Sequence, residues 1–97
     1  MKIHGNTIHF KSDGYWYAKE KSGKKPNTVR LLDPLQRSQV EQWFSTNDPA
    51  YIRIVNKDYE WESFKCILTD VSCVGQIAGY FVYVFSWYQK EVEHEEG

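Results

Sequence analysis

Long apolar runs, cysteines and net charge are all scarce in this chain, and each scarcity removes a class of protein. No stretch approaches the roughly 18 consecutive apolar residues of a membrane-crossing helix, the longest uncharged apolar run being Tyr80 to Trp87. No signal-like apolar segment follows Lys2, so the chain is read as one without a membrane role. Only two cysteines occur, Cys66 and Cys73, with no Cys or His partner at metal-ligand spacing. Small secreted domains usually carry more, so a reducing, cytoplasmic compartment is expected. A formal net charge of −1 argues against a general DNA-backbone binder. Internal repeats, low-complexity segments and linkers are absent as well.

What remains is a foldable chain with an uneven charge distribution. Its 97 residues are 41% hydrophobic and 16% aromatic, enough apolar area to offset the entropy of ordering one domain. That domain is expected over residues 1–90, with residues 91–97 as a solvated acidic tail carrying Glu91, Glu93, Glu95 and Glu96. Residues 1–30 hold seven Lys or Arg against two acids, whereas the rest holds five against eleven. An anionic ligand would favour the first third.

The patterning predicts five strands and two helices. Ile3 to Phe10 alternates as a half-buried strand does. Asp13 can cap a short helix stopped by Gly23, and two of Tyr15, Trp16 and Tyr17 are expected to pack inward. Thr28 to Leu32 reads as a strand. Asp33-Pro34 with Gln36 forms a capping-box signature for a helix over 34–45, on which Val40, Trp43 and Phe44 recur as a core stripe. Tyr51 to Val55 reverses at Asn56-Lys57-Asp58 into Glu60 to Val71, whose Phe64, Cys66 and Leu68 face inward and Trp61, Ser63 and Lys65 outward. Tyr80 to Trp87 is apolar on both faces, as a central strand would be. The class is α+β: a small five-stranded barrel with two helices outside, or alternatively a mixed sheet with one packed helix.

Candidate chemistry gathers in the basic turn Ser22 to Arg30. Lys24, Lys25 and Arg30 stand close to Asn27 and Thr28, joining cations to amide and hydroxyl groups that suit a phosphate or nucleobase. Thr28 and Arg30 share one face of a strand, where Arg30 needs an acid from Glu60, Glu62 or Asp70. Trp16 and Trp61 are the candidate stacking platforms. His4 and His9, five apart on one predicted strand, fall on opposite faces, so no metal site is expected. Cys66 and Cys73 read as inert thiols. No phosphate-cradling loop, nucleophile elbow or dinucleotide fingerprint is present, and no cofactor is expected.

The motif Gly23-Lys24-Lys25 followed by Thr28-Val29-Arg30 on a strand, after a strand and a short helix, resembles the ASCH/PUA-like superfamily. The resemblance implies a PUA/ASCH-like barrel that binds a nucleotide, modified nucleobase or RNA segment at its mouth. Within that superfamily the small acetylcytidine amidohydrolases use a lysine, a threonine and a glutamate. The first two would be Lys25 and Thr28, but the glutamate's segment, here Asp70 to Tyr80, carries no Glu. Binding is therefore favoured over hydrolysis of an acylated nucleoside. The run Lys19 to Arg30 is also similar to short proteins encoded by phages and prophages of low-GC Gram-positive bacteria. That likeness implies a phage accessory protein in the host-cell cytoplasm. A third reading is an inhibitor whose acidic, aromatic second half binds a host protein.

Overall fold

Eight elements follow one another: β1 (Lys2–His4), β2 (Thr7–Ser12), α1 (Gly14–Lys21), β3 (Asn27–Leu32), α2 (Pro34–Thr46), β4 (Ala50–Asn56), β5 (Ser63–Ile77) and β6 (Tyr80–Glu91). This computed structural model describes residues 1–92. The acidic tail beyond them, residues 93–97, lies outside the described residues, while Glu91 ends β6 opposite Cys66. The six strands form one mixed sheet in the order β1, β2, β4, β5, β6, β3, giving an α+β domain. Among the described residues only β2 and β4 run parallel. Among the described residues no strand pairing joins β3 to β1 or β2, so an open six-stranded sheet replaces the expected closed five-stranded barrel.

The extra strand arises at Gly5-Asn6. Gly5 takes φ +57°, the left-handed conformation that costs glycine nothing, and His4 pairs with Thr7 across a two-residue reversal. The single strand expected over residues 3–10 therefore splits into a hairpin. This hairpin also corrects the placing of the histidines. His4 and His9 come to one face, with ring centroids 5.3 Å apart, because a reversal restarts the alternation that counting along one strand assumes.

β5 continues past Val71 to Ile77, with a register shift between Cys73 and Gly75 absorbing Val74. The chain reverses at Ala78-Gly79, both with positive φ, 49° and 86°, as a type I′ hairpin turn requires. An alanine in that conformation is strained by about 1 kcal/mol relative to asparagine or glycine. Ala78→Asn is expected to stabilise the fold by about 0.5–1 kcal/mol in a urea titration with an unchanged m-value.

One face of the sheet is the core. Ile8 and Phe10 of β2, Ile52 and Ile54 of β4, Phe64, Cys66 and Leu68 of β5, and Tyr83, Phe85 and Trp87 of β6 are buried on it, as the period-two pattern demands. Ring contacts tie it together: Phe10 to Phe85 at 4.8 Å and Phe64 to Trp87 at 5.9 Å. Burial pushes the Cys66 thiol up to about 11, so it is not a thiolate, whereas Cys73 is exposed.

The helices cover the two ends of this face. At one end α2 carries the full capping box, Gln36 N–H donating to Asp33 Oδ1 at 2.8 Å and Asp33 N–H to Gln36 Oε1 at 3.0 Å. Its buried Trp43 donates from Nε1 to the Gly5 carbonyl at 2.8 Å, pinning the β1–β2 turn. The buried Tyr83 hydroxyl accepts from Arg37 Nε at 3.0 Å and donates to Glu41 at 3.1 Å, so no polar atom is orphaned there. At the other end Asp13 caps α1, accepting from Trp16 N–H at 3.1 Å, and Gly23 follows with φ +80°. Of the three aromatic residues in α1, Tyr17 alone is buried, against the expectation of two. Its ring meets Phe64 at 5.5 Å, while Tyr15 packs edge-on against Trp16. None of the helices among the described residues is long and apolar enough to cross a membrane.

Candidate functional site

Three segments converge where β2 ends. Ser12 leads through the Asp13 cap into α1, which sends the next turns across the core face, and the basic turn then returns the chain into β3. The turn is fastened to the helix, Lys25 N–H donating to the Lys19 carbonyl at 3.2 Å, and to the sheet, Trp87 N–H donating to the Pro26 carbonyl at 3.1 Å. Between them lies a cavity of about 460 Å³ lined by Lys11, Ser12, Asp13, Trp16, Glu20, Lys25, Thr28, Val29, Arg30 and Lys57. Lys57 comes from the β4–β5 loop, which docks on β2 through its N–H to the Ser12 carbonyl at 2.7 Å.

Arg30 is the structural centre of the site. Its Nε donates to Thr28 Oγ1 at 3.0 Å, Nη1 to the Lys11 carbonyl at 2.9 Å and Nη2 to Ser12 Oγ at 2.8 Å. Its guanidinium lies over the Phe10 ring, 4.7 Å from the centroid. β3 is the last strand of the sheet and β2 the second, so a side chain bridges the gap that strand pairing leaves open. Burial lowers the Arg30 pKa, and the charge of Glu20 works in the opposite direction. The guanidinium nonetheless keeps its charge at any physiological pH.

Glu20 is the residue that sequence reasoning missed. The acid expected beside Arg30 was Glu60, Glu62 or Asp70, but each has another partner. Glu60 pairs with Lys11 at 3.1 Å, Glu62 accepts from Asn56 at 2.9 Å, and Asp70 accepts from the Ser72 hydroxyl. Glu20 instead turns inward from the last turn of α1, four residues after Trp16 and three after Tyr17, on the face that meets the sheet. That spacing was the available signal. The residue is only 2% exposed, its Oε2 stands 3.8 Å from Lys25 Nζ, and its Oε1 has no hydrogen-bond partner. Lys25 Nζ also donates to the Asn27 carbonyl at 2.9 Å and sits 5.4 Å from the centre of the Trp16 ring.

Of the residues singled out from the sequence, Trp16, Lys25, Thr28 and Arg30 line the cavity together. Asn27 contributes its carbonyl to Lys25 from outside the lining, and Lys24 is exposed beside the turn. Trp61 is 80% exposed on the β4–β5 loop, its ring against Tyr59 at 5.2 Å, and does not reach the cavity.

No protein-family model matches the chain, and no curated protein or solved structure does either. Four cations, Lys11, Lys25, Arg30 and Lys57, face two acids in the cavity, Glu20 and the capping Asp13. Beside them is an aromatic ring, Trp16, with 44% of its surface exposed. Among the described residues no group of three His, Cys, Asp or Glu side chains is placed to hold a metal ion.

Proposed function

We propose that the cavity binds a nucleotide, or the terminal nucleotide of an RNA segment. The observation that carries this reading is the joining, in one cavity, of a four-cation surface and a half-exposed tryptophan ring. A nucleotide has the complementary parts, an anionic phosphate and a planar base that stacks on an aromatic face. Lys11 and Lys57 at the rim meet the phosphate, and Trp16 stacks the base. Glu20, almost without exposed surface, sets where Lys25 and Arg30 stand. Its unpartnered Oε1 is the acceptor left for a base N–H as Lys25 turns toward the phosphate. The ASCH/PUA-like resemblance of the Gly23 to Arg30 motif, whose members hold such ligands at the mouth of a barrel, supports the same assignment.

Lys25→Ala tests this reading, because Lys25 is half-buried and its loss leaves the Arg30 bridge untouched. Titration calorimetry with the four nucleoside 5′-monophosphates is expected to show binding that the variant weakens about tenfold to a hundredfold. That is the equivalent of one charged hydrogen bond, about 1.5–3 kcal/mol. Equal affinity in the variant, or no binding by any monophosphate, would sink the assignment.

A second reading, hydrolysis of an acylated nucleoside, gains from one observation: Glu20 supplies, next to Lys25, the carboxylate that the segment before β6 lacks. The Thr28 hydroxyl, however, accepts its hydrogen bond from Arg30, and Lys25 gives its short bond to the Asn27 carbonyl. Release of acetate from N4-acetylcytidine that stops in Thr28→Ala would favour this reading over simple binding.

A further inference from the structure

β3 ends the sheet, so one edge of its backbone has no neighbouring strand. The ladder on its other side fixes which groups lie on that edge. Trp87 N–H donates to the Pro26 carbonyl at 3.1 Å, which makes these two a bonded pair one step before Asn27 and Ser86. Bonded and non-bonded positions alternate in an antiparallel pair. Thr28, Arg30 and Leu32 therefore bond to β6, while Asn27, Val29 and Leu31 aim N–H and C=O away from the sheet. The contact of Lys25 agrees with this, since its Nζ meets the Asn27 carbonyl at 2.9 Å. Val29 is next along the edge and lines the cavity. Its side chain is 53% exposed on the outer face of the sheet, so it is the main chain of Val29 that the cavity meets. Among the described residues no turn or neighbouring strand supplies an acceptor for the Val29 N–H.

Glu20 supplies a second group without a partner, the Oε1 of a carboxylate that is only 2% exposed and lines the same cavity. Lys25 joins it to the strand edge: its ammonium stands 3.8 Å from Glu20 Oε2 and 2.9 Å from the Asn27 carbonyl, a donor set between two acceptors. A bound phosphate draws that ammonium away. The wall then presents, in order, Glu20 Oε1, the Asn27 carbonyl and the Val29 N–H: acceptor, acceptor, donor. We infer that the cavity selects guanine, whose N2–H, N1–H and O6 meet these three groups in turn while the ring stacks on Trp16. The inference rests on the nucleotide reading of the cavity and names its base. Uracil can use the Asn27 and Val29 pair but then turns its O2 on the Glu20 carboxylate, acceptor against acceptor. Cytosine and adenine can fill the same pair through an amino group and a ring nitrogen, yet neither has a second N–H donor atom beside it for Glu20. Each mismatch leaves a buried polar group unpaired, which is the costly case in recognition.

The test is titration calorimetry with GMP, AMP, CMP, UMP and inosine 5′-monophosphate, which is GMP without its 2-amino group. Wild type is expected to bind GMP about tenfold to a hundredfold more tightly than the inosine nucleotide, the worth of one hydrogen bond to a charged group. Glu20→Gln puts an amide in place of the carboxylate and should bring that ratio close to one. Val29→Pro removes the edge N–H without removing a ladder bond, a change that edge strands tolerate, and should weaken GMP about tenfold or more. Leu31→Pro makes the same change at an edge N–H outside the cavity lining and should bind GMP as wild type does. If Val29→Pro does not fold, the ratio of GMP to the inosine nucleotide and its loss in Glu20→Gln still decide. Equal affinity for all five nucleotides, weakened in Lys25→Ala, overturns the guanine site and leaves the cavity reading standing. Tighter binding of AMP, CMP or UMP than of GMP does the same. No binding by any of them removes both readings. A dimer in sedimentation that both proline variants dissolve would give the edge to a second copy of the chain and also overturn the site.

Discussion

Replacing Arg30 with leucine is expected to lower the unfolding free energy by about 3–5 kcal/mol, the range seen when one member of a buried charge arrangement is removed. The size follows from what the change strands. Thr28 Oγ1, the Lys11 carbonyl and Ser12 Oγ each lose a donor at 2.8 to 3.0 Å, and the buried Glu20 is left with Lys25 alone. β3 also loses its attachment to β2, which no backbone pairing replaces. In a domain of this size such a loss corresponds to a fall in Tm of about 12 °C or more. Arg30→Lys should recover only part of it, because one ammonium cannot present the planar fork that reaches three acceptors. Removing Glu20 as well should cost less than the sum of the two single changes, since each alone leaves a charge exposed to the core. A change within about 0.5 kcal/mol of wild type would mark Arg30 as an ordinary surface residue and remove the bridge.

Much of this arrangement was legible in the sequence, and the illegible parts have definite causes. Local signals carried over directly. The Asp33 capping box, the Asp13 cap with Gly23 beyond the helix, and the alternation that sends Phe64, Cys66 and Leu68 inward all stand where the pattern put them. These depend on neighbours within four residues, which a sequence displays. The misplacements came where two segments distant in sequence meet. Arg30 was read with a barrel mouth and an acid from the second half, yet its partners come from Lys11, Ser12 and Thr28, and its acid from α1. The Gly5-Asn6 reversal, a hairpin signal only two residues long, was absorbed into a longer alternating stretch. The placing of His4 and His9 on one face was lost with it. Within the site, the basic turn announced Lys25, Thr28 and Arg30 by composition. Glu20 gave no such notice, because one glutamate in a lysine-rich helix reads as a solvated charge until the helix face is known.

The second large effect is expected at Phe85, and it connects the core to the cavity. Phe85→Ala should destabilise the fold by about 3–5 kcal/mol, as loss of a fully buried aromatic ring does. Phe85 has no exposed surface and packs against Phe10, over whose ring the Arg30 guanidinium lies; the ring centroids of Phe10 and Phe85 are 4.8 Å apart and the guanidinium is 4.7 Å from the Phe10 centroid. The three groups form a column from the middle of the sheet to the wall of the cavity. A void at Phe85 lets Phe10 settle inward and withdraws the surface on which Arg30 rests. A desolvated contact of that kind is worth about 2 kcal/mol. Nucleotide affinity should therefore fall in Phe85→Ala even at temperatures where the variant is fully folded. Leu68→Ala is the control, since Leu68 is also buried in the core but has no part in the column. It should lower stability by about 2–5 kcal/mol and leave affinity unchanged. A double-mutant cycle should then couple Phe85 to Arg30 by about 0.5–3 kcal/mol and Leu68 to Arg30 by almost nothing. If both core variants weakened binding equally, general loosening of the fold would explain the effect. If neither did, Arg30 would hold its place through its three hydrogen bonds without help from the rings beneath it.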